Sequence, residues 1–412
     1  MNKQVKFQAA VAEVEITPDF PVTLIGGMPT RSKEVLHPLM SQVLLMKWGN
    51  DLTCLITIDN LGLTVELANK LRQTIATQLG ITKAEVMLCF SHTHNAPQPT
   101  VGALNGERYF SFMEQQISLG VTQALAKLQP SKIGWGLTKS QLGVNRRVDC
   151  SVVDDRLGVL KIATLTGKPL VMVLRLTAHP NSLMPLSGVI TSDYFHFVRQ
   201  QLTAHFGCPV MVIQGAAGNV KVRGTDTITG GTLLEAEAAG KEIAEALAKM
   251  TINLVEVSEF QLISRELSFT SEVPSVAESQ LIAHNAQKEC GIDGTGWLAE
   301  CQRLREAGLK QQVTDREVQF LTLNEGQFCG VADELFCELA LLAAEKTTNR
   351  LFFLNGYTNG CTGYLPTERE WLKGGYEILY SNLNYFPFHG HVMPFRPETA
   401  AQLVEFVVEH KC

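Results

Sequence analysis

The sequence predicts an α/β fold: mixed β-sheets layered with α-helices, in one large domain spanning residues 1–412. Three observations predict it. Short apolar runs such as "TCLITI", "VMLCF" and "VMVIQ" alternate with longer stretches of helical apolar spacing. Two apolar runs flank Thr166-Gly167-Lys168, a hairpin signal that argues against an all-parallel sheet. Polar clusters repeatedly follow the apolar runs, as they do at ligand crevices beyond the carboxyl ends of strands.

Taken in order, "DLTCLITIDNLGL" (51–63) predicts a buried strand running into a loop. Thr64 caps a helix over "VELANKLRQTIATQLG", which ends at Gly80. "EVMLCF" (85–90) is the next strand, and "RYFSFMEQQISLGVTQALAKL" (108–128) is a helix. "RLGVLKIATLTGKPLVMVLRLTAHP" supplies the hairpin, its second strand ending at His179-Pro180. A helix opens near Ser192 or Asp193, "PVMVIQ" is a strand, and "LLEAEAAGKEIAEALAKM" is an amphipathic helix. Strands return from about residue 252, followed by two helical stretches between 276 and 308. "EVQFLTLNEGQFCGVADELFCELALLAAE" reads as strand, turn, strand, then a helix opening near Glu334. "RLFFLNGYTNGCTGYLP" is a last strong strand with a glycine-rich exit, and "AAQLVEFVVEHKC" is a terminal helix. No internal repeat or linker is visible.

Composition narrows the function. A formal charge of −6 gives no basic footprint for nucleic acid. No uninterrupted apolar stretch is long enough to span a membrane, and the N-terminus lacks a signal-peptide core. The ten cysteines are scattered, with no Cys-x-x-Cys pair, and several sit in apolar strands. That pattern predicts reduced thiols in a cytoplasmic protein and argues against a cysteine-ligated zinc.

"SHTHN" (91–95) carries His92 and His94 at a strand exit. In an extended segment, residues i and i+2 face the same way, so both rings can share a cavity. A histidine there also serves as a hydrogen-bonded structural residue, so metal ligation, catalysis and structure all stay open. His179 is a third candidate, and His389 and His391 in "PFHGH" form a second pair, a candidate pocket wall. "QGAAGN" (214–219) can cradle an anion or simply turn. Glu334 cannot be chosen over Glu338 by spacing.

Taken together and in order, the stretches "EITP" with a following "GG" (15–27), "SHTHNAP" (91–97), "VNRR" (144–147), "AHP" (178–180), "TSDY" (191–194), "QGAAGN", "DELFCEL" (333–339), "NGYTNGCTGYLPT" (355–367) and "GGYE" (374–377) resemble the catalytic domain of the neutral/alkaline, non-lysosomal ceramidase family. The resemblance implies a hydrolase with one zinc ion per chain, held by His92, His179, Glu334 and Tyr364. It implies that His94 faces the substrate carbonyl, and that Arg146 and Tyr376 lie in the active site. Such a site uses metal-activated water to cleave an amide, with an ester or lactone as the related alternative and a non-catalytic ligand-binding homologue as the third reading.

The chain departs from the family at "GNVKVRG", where Lys221 stands at the position of the family's serine. "DE" also replaces "GE" before Glu334, and the family's C-terminal β-sandwich is not expected here. These departures turn the expectation from ceramide to a small, polar or anionic substrate, read from Arg146, Lys221 and Arg223. Lys221 is a candidate electrophile or carboxylate binder, with a solvent-facing lysine as the plain alternative.

Overall fold

The computed structural model describes residues 6–27, 29–224 and 230–411. Cys412 and the first five residues lie outside the described residues.

Eight strands form the larger sheet. They are β1 (Gln8–Glu15), β2 (Met40–Trp48), β3 (Asp51–Ile58), β4 (Val86–Phe90), β5 (Gln129–Lys139), β6 (Arg156–Thr164), β7 (Pro169–Leu176) and β8 (Val210–Gln214). Their order is β8-β7-β6-β5-β1-β2-β3-β4. A second sheet holds β9 (Phe260–Glu272), β10 (Gln311–Leu323), β11 (Gly326–Gly330) and β12 (Phe352–Asn355), in that order. Both sheets are mixed, so the α/β class stands.

The layers follow from which face each residue shows. Along β2, Val43 and Leu45 join a core with α1 (Val65–Leu79) and α2 (Gly106–Leu125). Leu44 and Met46 point the other way and meet Leu321, Phe328 and Phe353 of the second sheet. Helices α3 (Tyr194–Phe206) and α4 (Leu233–Leu247) cover the β6–β8 half of the same outer face. Beyond α5 (Val276–Cys290) and α6 (Thr295–Glu306), helix α7 (Cys337–Thr347) covers the far face of the second sheet. Helix α8 (Asn382–His389) follows, and the last helix, α9 (Thr399–Glu409), packs beside α7. The order is helix, sheet, sheet, helix. Strands buried on both faces lose polar alternation, which is why they read as continuous apolar runs.

One topology occurs three times. In β1-β2-β3-α1-β4, β5-β6-β7-α3-β8 and β9-β10-β11-α7-β12, three strands pair antiparallel in order. A helix then crosses over to a fourth strand, which pairs parallel with the third. The sequence shows no such repeat, because burial and hydrogen bonding need only apolar runs of the right length at each strand.

Local signals place most elements. Thr64 Oγ1 accepts from Leu67 N, and Gly80 closes α1 in the left-handed region at φ 67°. Asp193 is the N-cap of α3. Gly167, at φ 91°, turns the β6–β7 hairpin.

Two local expectations change. The helix does not open near Glu334 but at Cys337. Glu334–Leu335 instead pairs in parallel with Tyr364–Leu365, and Glu334 N donates to Gly363 O at 2.8 Å, so its backbone is committed to a strand. His92 is not extended either: the strand ends at Phe90, and His92 has φ 66°. His92 and His94 therefore converge through a turn, not by strand alternation.

Among the described residues, no helix is long and apolar enough to cross a membrane, and the described cysteines are free thiols.

Candidate metal centre

The parallel strand pairs β3/β4, β7/β8 and β11/β12 send their carboxyl ends to one place. Gln214 Nε2, at the end of β8, donates to Ser91 O past β4 at 3.4 Å. Phe90 N, at the end of β4, donates to Tyr357 O past β12 at 3.0 Å.

Each pair contributes one side chain and the group that orients it. The β3/β4 pair gives His92, whose Nδ1 faces Leu61 O at 2.6 Å. The β7/β8 pair gives His179, whose Nδ1 faces Ala217 O at 3.2 Å. The β11/β12 pair gives Glu334, with Tyr357 OH 3.5 Å from its Oε2. His94, also past β4, sets Nδ1 against Gly26 O. A Cβ on Gly26, at φ 145°, would collide with the His94 backbone, so only glycine permits that approach.

A carbonyl oxygen only accepts, so all three rings carry their proton on Nδ1. Their Nε2 atoms then point inward, where a cation or a proton can sit. His179 Nε2 lies 2.9 Å from His94 Nε2, and Glu334 Oε2 lies 3.2 Å from His92 Nε2 and 4.0 Å from His179 Nε2. Burial holds His94 well below the usual imidazole range, with the nearby His92 adding to it. Burial, with Arg146 and the neighbouring histidines, does the same for His179. The cluster thus turns three Nε2 atoms and a carboxylate oxygen inward, with His92, His179 and Glu334 buried and His94 half-buried. Three of them, His92, His94 and His179, set ligand atoms within 4.8 Å of one another. Ligands around a tetrahedral ion at 2.0–2.1 Å stand about 3.3 Å apart, so the donor set and its spacing fit a small cation such as zinc.

The remaining candidates surround this cluster. Arg146 donates to Tyr364 OH at 3.1 Å and to Gly218 O at 2.7 Å. Its Nε lies 3.2 Å from Glu377 Oε1, and Arg147 takes the other oxygen, Oε2, at 2.9 Å. Burial opposes the charge on Arg146, but Tyr364, Glu377 and Glu334 outweigh it and raise its pKa. Any anion reaching Arg146 would compete with Glu377 for it. Tyr376 OH lies 3.5 Å from Tyr385 OH, and its ring stands 6.3 Å from that of Tyr364.

Lys221 meets the cluster through its backbone, bridging to His179. Its neighbours Val220 and Val222 are buried in the core under α3 and α4, while Lys221 itself is half-buried on the opposite side of the strand. Arg223 is exposed and donates to Gln141 O at 2.8 Å. Glu338, the rival of Glu334, faces elsewhere and accepts from Asn219 Nδ2 at 2.8 Å.

Sequence reasoning missed three contributors. Tyr357 is fully buried, with its ring 4.4 Å from that of His92. It lies two residues past β12, the offset at which His92 follows β4, and that was the available signal. Cys361 Sγ lies 3.8 Å from His92 Nδ1 and 3.9 Å from Glu334 Oε1. Glu377, inside "GGYE", ties that motif to "VNRR". His389 is part of a pocket wall: it lines a cavity of about 70 Å³ that also touches His92 and Glu334.

The fold and the cluster define a layered α/β protein with an acceptor-rich, cation-ready site at three strand-pair ends. Among solved structures, the chain is similar to neutral ceramidase from Pseudomonas aeruginosa, with a TM-score of 0.72 at 16% identity over 98% of this chain and 74% of that one. It is equally similar to a ceramidase complexed with C2, with a TM-score of 0.72 at 14% identity and the same coverage. At such identity the likeness establishes the fold. No protein-family model and no curated sequence matches the chain.

Proposed function

We propose that this chain is a zinc-dependent hydrolase that cleaves an amide bond in a small substrate. The observation that carries this reading is the cluster of four inward-facing groups, three of them imidazoles whose Nδ1 protons are tied to carbonyls. Without a cation or a proton at its centre, such a cluster leaves lone pairs facing lone pairs. The likeness of the fold to ceramidases supports placing amide hydrolysis first, with ester hydrolysis at the same site second.

In this reading His92, His179 and Glu334 hold one zinc ion, and Tyr364 completes the set. When bound, zinc supplies a nucleophile at neutral pH by lowering the pKa of a water to about 7. His94 is only half-buried, unlike His92 and His179, which suits a group that meets substrate. Its Nδ1 proton is committed to Gly26 O, so Nε2 accepts a proton and passes it to the leaving nitrogen. Arg146 holds the Tyr364 hydroxyl by donating to its oxygen, and Tyr376 would donate to a developing oxyanion. Lys221, on the strand beside His179, takes a polar or anionic part of the substrate. Free thiols, most of them buried, suit a cytoplasmic enzyme.

Metal content by mass spectrometry tests the reading, on wild type and on His92→Ala, His179→Ala and Glu334→Gln. About one zinc per chain, lost in the variants, is expected. Amide and ester substrates are then screened on the zinc-loaded protein. Wild type that takes up no zinc would overturn the reading.

A further inference from the structure

We infer that the acyl part of the substrate is short and apolar, and that it sits in the cavity between Leu61, Leu63 and Phe388. This rests on the hydrolase reading above and adds the substrate class.

The cavity opens directly on the proposed ligands, with His92 and Glu334 in its wall. Leu61 and Leu63, from the loop joining β3 to α1, form one side; Tyr385 and Phe388 of α8 form another, and Pro99 closes it. Thr64, Gln98, Thr100, Cys361 and His389 add uncharged polar groups. No charged side chain other than Glu334, which the proposed ion would neutralise, lines it among the described residues. A charged acyl group would be desolvated there without a partner.

Size sets the length. A dry cavity of about 150 Å³ takes benzene. At about 70 Å³, this one takes half as much, the size of a two- to four-carbon acyl chain.

A separate cavity of about 170 Å³ is lined by Thr30, His94, Asn95 and Ser187 together with Leu24, Met184 and Leu186. Ile25 borders both cavities. The scissile bond then lies between them, with the acyl group beside His92 and the more polar leaving group beside His94, where the proton is needed.

Linear alkyl hydroxamates test this without turnover, because the hydroxamate head binds zinc whatever the enzyme hydrolyses. Binding to the zinc-loaded full chain is measured by calorimetry from acetohydroxamate to octanohydroxamate. Affinity should rise by about fourfold per methylene up to butyrohydroxamate and then fall for the longer chains. Phe388→Ala, at a half-buried position on α8, should shift the optimum to longer chains. Leu61→Phe should shift it toward acetohydroxamate. An affinity that ignores chain length, or an optimum that neither variant moves, overturns the acyl cavity while leaving the metal site standing. Failure of every hydroxamate to bind overturns the metal site and the acyl cavity with it.

Discussion

His94 Nε2 and His179 Nε2 stand 2.9 Å apart, in rings whose Nδ1 atoms both face backbone carbonyls. Two imidazole lone pairs at that separation repel unless something positive lies between or beside them. The pair is therefore the sharpest place to divide ligand from catalyst.

His179→Ala should lose zinc and activity together. His94→Ala should keep about one zinc per chain and lose activity by roughly a hundredfold or more, the scale of a removed general acid–base group. Metal analysis beside turnover reads both. Equal zinc loss in the two variants would make His94 a ligand.

Tyr357→Phe removes the hydroxyl 3.5 Å from Glu334 Oε2 and leaves the ring against His92. Outer partners of this kind contribute about 10–100-fold to metal affinity. The variant should fold normally and bind zinc at least about tenfold more weakly in a chelator competition. Unchanged affinity would reduce Tyr357 to packing.

Glu377→Ala leaves Arg146 and Arg147 facing each other without their shared carboxylate. Arg146 is almost wholly buried, and breaking a buried pair costs about 3 kcal/mol or more. Denaturant unfolding should show that loss. A loss below about 1 kcal/mol would mean that Glu370 or water takes over.

His37 stacks on His196 at 4.0 Å and bonds Thr191 Oγ1 through Nδ1 at 2.8 Å. Burial, with His196 beside it, lowers its pKa from 6.5 to about 4. The folded state thus resists a proton that the unfolded chain accepts. The contribution to stability is complete above pH 6.5 and is lost as pH falls toward about 4. His37→Asn should make the fall of Tm across that window shallower than in wild type. Other buried histidines steepen the same slope, so the difference between the two proteins is what reports His37.

Strands and helices were largely legible in the sequence, because each depends on neighbours within a few residues. The Thr64 cap, the Gly80 stop, the hairpin at Gly167 and the apolar run before "SHTHN" are local decisions. The start of α7 was misplaced because Glu334–Leu335 is held by Tyr364–Leu365, a partner thirty residues away. No local pattern encodes that pairing.

Some members of the cluster were legible in the sequence one by one, but their arrangement was not. His92, His94 and His179 could be picked as histidines after apolar runs, whereas Glu334, Tyr364 and Arg146 came only from the family resemblance; the fold sets the three histidines and Glu334 together and bonds Arg146 to Tyr364. Tyr357, Cys361 and Glu377 lie inside "NGYTNGCTGYLPT" and "GGYE" but were not singled out there, and their contacts with the cluster showed only on packing.

By itself, then, the sequence determined the α/β class, the run of strands and helices, and which polar residues stand at strand exits. Backbone propensity, capping and apolar periodicity act within one turn or one strand, and those can be read along a line. Only the tertiary structure decided that one topology recurs three times, that three parallel strand pairs aim their ends at a single point, and that four acceptors crowd there with an apolar cavity alongside. Those outcomes depend on how two sheets pack face to face, which fixes distances between residues hundreds of positions apart.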